Sequence, residues 1–212
     1  MKTYIVGNWK MNLTVGESSI YLQKLLRRIS PSRGLEVIVA LQPLSIQLER
    51  NHSKIKLAAQ NFYHKDFGAY TGEVSVMQLR GLADYAIIGH SERRYLFGET
   101  NKDLRQKVAA AIRNHITPIL CIGETENERN FNETADVIRD QLHGGLSEVD
   151  AEDLKKVIIA YEPVWAISSN KGARLATPDE VAASIQLIKR ELGTIYGKAQ
   201  TESIPILYGG SI

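Results

Sequence analysis

Residues 85–94 read Tyr85-Ala86-Ile87-Ile88-Gly89-His90-Ser91-Glu92-Arg93-Arg94, and this segment is the clearest indication of the fold class. An apolar run of four residues ends at a glycine and is followed at once by an imidazole and a group of charges. Because the run is apolar without alternation, it predicts a strand that is buried on both faces, as in a parallel sheet. The polar residues then lie at the carboxyl end of the strand, where parallel α/β folds carry their chemistry.

Six further apolar runs of this kind occur along the chain, at residues 4–6, 36–40, 56–59, 118–122, 157–160 and 204–207. Helical patterns, with apolar residues three and four apart, lie between most of them, at 18–29, 103–113, 134–142 and 179–192. The last of these begins at Thr177-Pro178, because threonine caps a helix and proline fits its first turn. The alternation of strand and helix predicts an α/β fold with a parallel sheet.

The composition is that of an ordinary globular chain: 212 residues, 43% of them hydrophobic, with 26 basic and 24 acidic side chains and a net charge of +2. Charges of both signs are mixed along the chain, which argues against a nucleic-acid-binding surface. No segment approaches the roughly 18 apolar residues of a membrane span, and the single cysteine, Cys121, allows no internal disulfide. We therefore expect one cytoplasmic domain over residues 1–212 that binds neither nucleic acid nor membrane.

Side chains that suit proton transfer follow three of the predicted strands. Asn8 and Lys10 follow the first run, His90 follows the fourth, and Glu162 follows the sixth among large apolar neighbours. Desolvation strengthens a carboxylate as a base, and a neutral imidazole at a helix start can donate a hydrogen bond to a carbonyl oxygen. Each residue alone also suits a structural role, as a loop amide, a solvated lysine, a buried histidine or a buried ion pair. Together they favour abstraction of a proton next to a carbonyl.

Two glycines follow the seventh run, in Tyr208-Gly209-Gly210-Ser211. They would let backbone N–H groups approach an anion closely, although the same residues also suit a plain turn. The five histidines show no metal-ligand spacing with Cys121, so no metal site is expected.

Seven motifs resemble blocks of the triosephosphate isomerase family, in the order in which that family has them. They are Gly7-Asn8-Trp9-Lys10-Met11-Asn12, Ala59-Gln60-Asn61, Gly68-Ala69-Tyr70-Thr71-Gly72-Glu73, Ile88-Gly89-His90-Ser91-Glu92-Arg93-Arg94, Cys121-Ile122-Gly123-Glu124-Thr125, Tyr161-Glu162-Pro163-Val164-Trp165-Ala166 and Tyr208-Gly209-Gly210-Ser211. One short motif is weak support, whereas an ordered set from end to end of the chain is specific.

The resemblance implies a (β/α)8 TIM barrel and an aldose–ketose isomerase of glycolysis and gluconeogenesis. Such an enzyme interconverts dihydroxyacetone phosphate and D-glyceraldehyde 3-phosphate through an enediolate, without a cofactor or metal. By this resemblance Glu162 moves the proton between two carbons and neutral His90 polarises the carbonyl. Lys10, supported by Asn8 and paired with Glu92, would hold the anionic substrate.

The resemblance also implies a homodimer and a phosphate site. Thr71, at the tip of the third loop, would reach the active site of the neighbouring subunit. The family's lid corresponds to residues 168–178, which here are three residues longer and lack both usual glycines. Asn170 and Gly172 are then expected to supply the backbone conformation that binds phosphate, beside Gly210 and Ser211.

The sequence also departs from the family in its length. A barrel of this kind takes roughly 250 residues, so we expect this one to be truncated after the seventh strand and incomplete at the C-terminus. The alternative to an isomerase is therefore a catalytically silent barrel remnant that acts only as a dimerisation or binding module.

Overall fold

The computed structural model describes residues 2–30, 32–47, 54–167 and 173–210. Its strands are β1 (Thr3–Asn8), β2 (Leu35–Leu41), β3 (Lys56–Ala59), β4 (Tyr85–Ile88), β5 (Thr117–Ile122), β6 (Ile158–Tyr161) and β7 (Ile206–Tyr208). Each strand overlaps one of the seven predicted apolar runs. The strand pattern was therefore readable from the sequence, with boundaries that agree to within two residues.

The helices are α1 (Val15–Arg28), α2 (Pro43–Ile46), α3 (Val76–Leu79), α4 (Ser91–Phe97), α5 (Asn101–Arg113), α6 (Glu126–Asn130), α7 (Thr134–Leu146), α8 (Pro178–Tyr196) and α9 (Lys198–Thr201). Helices α1, α5, α7 and α8 are the four that the apolar spacing predicted. The others are too short to show a helical period. Helix α8 begins as expected, because Thr177 and Glu180 each accept a hydrogen bond from the other's backbone N–H.

The chain divides into two compact units. One comprises the residues up to Ile87 with Ala110–Thr117, and the other comprises Ile88–Ala109 with the residues from Pro118 onward. In the first unit β1, β2 and β3 pair in parallel and in sequence order, with Asn8 opposite Ala40. Asn8 is the last residue of β1, so Lys10 follows at the carboxyl end of this sheet. The organisation of residues 1–212 as one domain stays a prediction.

In the second unit β5 pairs with β6, and β6 pairs with β7, again in parallel. Tyr161 lies opposite Ile122 on one side and Tyr208 on the other. Glu162 and Gly209 are therefore the first residues beyond two neighbouring strands. Strand β6 is wholly buried, which fixes the position from which Glu162 leaves the sheet.

Every residue of β4 is buried, as its apolar run predicted. No helix within the described ranges is long and apolar enough to cross a membrane.

Candidate active site

His90 is the residue that caps helix α4. Its Nδ1 atom accepts a hydrogen bond of 3.2 Å from the backbone N–H of Glu92. Because an N–H group can only donate, Nδ1 carries no proton, and the neutral imidazole has its proton on Nε2. The side chain is only 9% exposed. The start of the helix thus selects the tautomer in which Nε2 is a hydrogen-bond donor.

The carboxylate of Glu162 faces this donor. Its Oε2 atom lies 3.7 Å from Nε2 of His90, and its side chain is 18% exposed. This distance is longer than a hydrogen bond, so no direct hydrogen bond joins the two groups. A carboxylate that can act as a base and a proton donor therefore lie side by side beyond β6 and β4.

Two glycines make room for Glu162. A Cβ atom on Gly209 would lie 2.8 Å from Cγ of Glu162, and one on Gly123 would lie 2.1 Å from its backbone oxygen. Neither contact is tolerable, so larger residues at both positions would displace Glu162. Gly123 is held in turn by Gln141, which accepts from its N–H at 2.8 Å and donates to its carbonyl oxygen at 3.2 Å.

Cys121 is a buried thiol near the same carboxylate. Burial raises the pKa of this thiol well above its usual range, and the negative charge of Glu162 and a hydrogen bond to it act in the same direction. A thiol that stays protonated is a poor nucleophile. Cys121 is therefore a packing residue here. With Glu162 and others it lines a void of about 10 Å³, at the lower limit for one water molecule.

A second carboxylate, Glu124, fixes the segment that follows Glu162. It is fully buried, and its Oε1 atom accepts hydrogen bonds from Nε1 of Trp165 at 2.9 Å and from Arg129 at 3.1 Å. The hydroxyl of Tyr161 donates to it as well, and burial together with the charge of Glu124 raises the pKa of that phenol. A buried charge is tolerated only with partners of this kind, and here two of the partners are Tyr161, directly before Glu162, and Trp165, in the turn that follows it.

In the other compact unit, Asn8 and Lys10 form a fixed turn. The Oδ1 atom of Asn8 accepts a hydrogen bond of 3.0 Å from the N–H of Lys10. Lys10 has φ +51°, a left-handed conformation that is uncommon outside glycine. Its carbonyl oxygen accepts from Gln60 at 3.0 Å and from Gln42 at 3.3 Å. Strained backbone that is held by several contacts is typical of functional positions.

A larger cleft, of about 550 Å³, lies elsewhere in the second unit, and neither His90 nor Glu162 lines it. Its lining includes Glu99, Glu128, Glu133, Asp136 and Asp140. So many carboxylates repel an anion. For a negatively charged ligand, this cleft is thus a poor candidate.

Comparison with known proteins identifies the family of the chain. The sequence model of the family described as triosephosphate isomerase matches residues 3–212. The chain belongs to the triosephosphate isomerase family. Three curated relatives carry the name triosephosphate isomerase. The protein of Dehalococcoides mccartyi is 42% identical over 213 residues, which cover 98% of this chain and 81% of the relative. That of Clostridium acetobutylicum is 42% identical over 217 residues, which cover 100% of this chain and 86% of the relative. That of Trichlorobacter lovleyi is 39% identical over 212 residues, which cover 98% of this chain and 83% of the relative.

Membership of the triosephosphate isomerase family confirms two predictions. The fold is an α/β fold of the TIM-barrel class, in agreement with the parallel strands and the helices between them. The enzyme class is an isomerase, an intramolecular oxidoreductase. The family also supports the isomerase interpretation over that of a silent remnant.

The residues that the resemblance to the triosephosphate isomerase family singled out fall into several groups. His90, Glu92 and Glu162 are brought together in the second unit, where Oε2 of Glu92 lies 3.6 Å from Nδ1 of His90. Asn8 and Lys10 lie together in the first unit. Ser211, Asn170 and Gly172 lie outside the described residues.

Gly210 and Thr71 lie in exposed loops. Gly210 follows β7 with φ +146°, and a Cβ atom there would come within 3.3 Å of the backbone oxygen of Ala166. Thr71 follows Tyr70, whose ring packs at 4.5 Å against the ring of Tyr63. No group of three or more His, Cys, Asp or Glu side chains in the described part of the chain could hold a metal ion.

Four residues that hold the candidate site in place were not predicted from the sequence: Gln60, Gln141, Glu124 and Arg129. Gln60 was part of a motif, but nothing in the motif showed that its amide binds the carbonyl oxygen of Lys10. Glu124 is the second residue beyond β5 and Glu162 is the first beyond β6, so a search for polar residues at strand ends could have found it. Gln141 is a buried polar residue on α7, and a polar side chain on an apolar helix face is a signal that was available.

Proposed function

We propose that this chain catalyses the reaction that gives its family its name, the interconversion of dihydroxyacetone phosphate and D-glyceraldehyde 3-phosphate, with Glu162 as the base. The observation that carries the proposal is the distance of 3.7 Å between Oε2 of Glu162 and Nε2 of His90. It brings a base and a proton donor within reach of adjacent atoms of one small substrate.

The chemistry is a proton transfer between neighbouring carbons. Glu162 removes a proton from the carbon next to the carbonyl, and the C–H electron pair forms a carbon–carbon double bond while the carbonyl electrons move to oxygen. The N–H of His90 at Nε2 donates a hydrogen bond to that oxygen as its charge grows. The hydroxyl proton on the carbon that lost its proton then moves to the former carbonyl oxygen. Protonated Glu162 gives its proton to the former carbonyl carbon, and the electrons of the other carbon–oxygen bond form the new carbonyl as the carbon–carbon double bond is lost. Atoms and electrons balance without an oxidant or reductant.

Lys10, Asn8 and Glu92 complete the proposed catalytic set. The ammonium group of Lys10 binds the anionic substrate and the enediolate oxygen, and Asn8 supports it by accepting the hydrogen bond of 3.0 Å from its backbone N–H. Glu92 is proposed as the ion-pair partner of Lys10, by resemblance to the family. The left-handed backbone of Lys10, at φ +51°, supports a role beyond that of a solvated surface lysine.

The substrate phosphate is proposed to bind backbone N–H groups near Gly210, Ser211, Asn170 and Gly172. A glycine such as Gly210 lets an anion approach the main chain closely. This part of the proposal rests on the family resemblance.

We propose further that the chain acts as a homodimer through the loop around Thr71, in the cytoplasm, within glycolysis and gluconeogenesis. Phe67 and Tyr70 of this loop are 77% and 40% exposed. Exposed aromatic side chains are common at protein interfaces. Sedimentation should then give twice the chain mass of 23.7 kDa, and Phe67→Asp should shift the equilibrium towards the monomer.

The decisive experiment is isomerase turnover of the purified chain, with Glu162→Gln prepared in parallel. Glutamine has nearly the same shape but cannot take the proton, so turnover should fall on the order of 10³-fold while the melting temperature stays close to that of the parent. The parallel preparation also measures any contaminating host enzyme. Equal turnover well above background in both preparations would overturn the assignment of Glu162 as the base. Equal turnover at background level would instead favour the silent binding module.

A further inference from the structure

Residues 63–75 form a loop in the first compact unit, and backbone contacts close this loop at its base. The N–H of Tyr63 donates to the carbonyl oxygen of Val74 at 2.8 Å, and Tyr63 and Ser75 form a parallel β-bridge. Ser75 then caps helix α3 in a capping box with Gln78. The two ends of the loop are therefore fixed to each other, and one of them is fixed to a helix.

The loop is also packed internally. The rings of Tyr63 and Tyr70 lie 4.5 Å apart, and the N–H of Tyr70 donates to the carbonyl oxygen of Gly68 at 3.0 Å. A Cβ atom on Gly68 would lie 2.5 Å from Cε2 of Tyr70, and Gly68 has φ +143°. Glycine is therefore required at this position. These contacts give the loop a shape of its own, while the side chain of Phe67 stays 77% exposed.

One carboxylate ties this loop to the end of helix α5. The Oδ1 atom of Asp66 accepts a hydrogen bond of 3.1 Å from Nη2 of Arg113 and another of 3.1 Å from Nδ2 of Asn114. Asn114 is buried, and its amide also donates to the carbonyl oxygen of Ala110 at 3.0 Å, which fixes its orientation. The hydrogen bond from Arg113 lowers the pKa of the Asp66 carboxyl, so this group is ionised at neutral pH.

The anchor lies beside the residues that are proposed to contact a second chain. Asp66 directly precedes Phe67 and belongs to the same loop as Thr71. The ion pair with Arg113 is partly exposed and contributes little by itself, whereas the buried amide of Asn114 loses its acceptor when Asp66 is removed. Association costs less free energy when a contact segment is already ordered. The anchor therefore bears on how tightly two chains bind.

We propose that Asp66 is a positioning residue for the dimer contact: held by Arg113 and Asn114, it orders the loop that a second copy of this chain binds, before the two chains meet. The inference rests on the proposed homodimer and deepens it, because it names a contact within one chain that sets the strength of the contact between chains. Asp66 itself does not need to touch the partner.

Sedimentation velocity at a series of chain concentrations measures the dissociation constant of the dimer. In Asp66→Ala we expect this constant to rise by about tenfold, since the loop must then be ordered as the chains associate. Asp66→Asn keeps an acceptor oxygen and should recover part of the loss. The matched control is Asp84→Ala, which removes an acid of the same unit that is 46% exposed and pairs with Lys56. Its dissociation constant should equal that of the parent.

A double-mutant cycle tests the contact with Arg113. Arg113→Ala should raise the dissociation constant by less than Asp66→Ala does, because Asn114 still binds the carboxylate. When both changes are combined, the constant should match that of Asp66→Ala alone, since Arg113 acts through Asp66. The side chain of Arg113 is 53% exposed, so this variant is expected to fold whether or not Asp66→Ala does.

Hydrogen exchange shows whether the loop itself loosens. The variant Phe67→Asp is expected to be monomeric, so a partner chain cannot protect the loop in it. In this background Asp66→Ala should speed the exchange of the hydrogen-bonded amides of Tyr70 and Glu73 by about tenfold. Exchange in helix α1, which serves as the internal reference, should be unchanged.

The outcomes are distinct. A dissociation constant that is unchanged in Asp66→Ala, or in Arg113→Ala if the first variant does not fold, overturns the positioning role and leaves the homodimer in place. An equal rise in Asp84→Ala overturns it too, because the effect would then follow net charge. Unchanged exchange of the loop amides would show that the loop is ordered without Asp66. A parent chain that sediments as a monomer at every concentration overturns the proposed homodimer, and the positioning role with it.

Discussion

The Nε2 atom of His90 lies 3.7 Å from Oε2 of Glu162, while its Nδ1 atom accepts the backbone N–H of Glu92. The tautomer of the imidazole is thus set by the first turn of α4 and not by the carboxylate that it faces. Because a backbone N–H cannot titrate, this arrangement keeps the donor at Nε2 wherever the imidazole is neutral. The base and the donor are held by different elements, β6 and α4, so each can be removed separately.

Replacement of His90 by alanine should abolish most of the turnover. We expect kcat to fall on the order of 10²-fold, because the growing oxyanion loses a preorganised donor. The control is His143→Ala, which removes an exposed histidine near the end of α7 and should leave kcat unchanged. Steady-state kinetics of both variants, with melting curves to confirm folding, make the comparison. Near-parental kcat in His90→Ala would show that His90 does not take part in the reaction.

Gly209 should not tolerate even a methyl group. A Cβ atom there would lie 2.8 Å from Cγ and 3.0 Å from Oε1 of Glu162, so Gly209→Ala must push the base out of place. We expect kcat to fall by about tenfold to a hundredfold, because a displaced reacting group loses its alignment with the substrate. The melting temperature should change little. In Gly16→Ala, near the start of α1, the new methyl group meets nothing within 4 Å, and activity should be unchanged. Full activity in Gly209→Ala would mean that Glu162 works from another position.

The residues that we propose to touch the substrate were easier to predict from the sequence than the residues that hold them. Glu162 and His90 follow continuous apolar runs, so the carboxyl ends of β6 and β4 could be located by hydrophobic pattern alone. The contacts of Trp165 could not be located in this way, because Glu124 and Arg129 lie on one segment of the chain and Arg174 lies on another. Their contacts depend on side-chain directions that no local period encodes. The short helices α2, α3, α6 and α9 were missed for a related reason, since one or two turns show no period, and of α4 only the start beside His90 was predicted.

Glu124 should make a large contribution to stability. Glu124→Ala leaves the guanidinium of Arg129, the indole N–H of Trp165 and the hydroxyl of Tyr161 without their shared acceptor. Removing one partner from a buried ionic network costs about 3–5 kcal/mol, and we expect a loss of that size in the free energy of unfolding. Urea denaturation measures it.

The control for this prediction is Glu126→Ala, an exposed acid in the first turn of α6. Its effect should stay within about 0.5 kcal/mol, as is usual at the surface. If Glu124→Ala lost no more than the control, the buried network would be replaceable by water or by rearranged side chains.

The last prediction concerns alkaline pH. The hydroxyl of Tyr196, on α8, donates to the carbonyl oxygens of Leu146 at 2.8 Å and Val149 at 3.1 Å. Burial raises the pKa of this phenol to about 12, and the charge of Asp150 acts in the same direction. An acid whose folded pKa is raised favours its neutral form in the folded state. Its contribution to stability is thus complete below the unfolded value of about 10 and is lost as the pH rises through the folded value.

Tyr196→Phe removes this group and isolates its contribution. Near neutral pH the variant should be less stable than the parent by about 1 kcal/mol, the usual value of a buried hydrogen bond. The gap should hold up to about pH 10 and narrow above it, since only the parent loses stability through this phenol. Urea denaturation at several pH values measures the gap, and Tyr21→Phe, which changes an exposed tyrosine, is the control. Because all other tyrosines remain in both proteins, the difference reports Tyr196 alone, and a gap that stayed constant through about pH 12 would contradict the raised pKa.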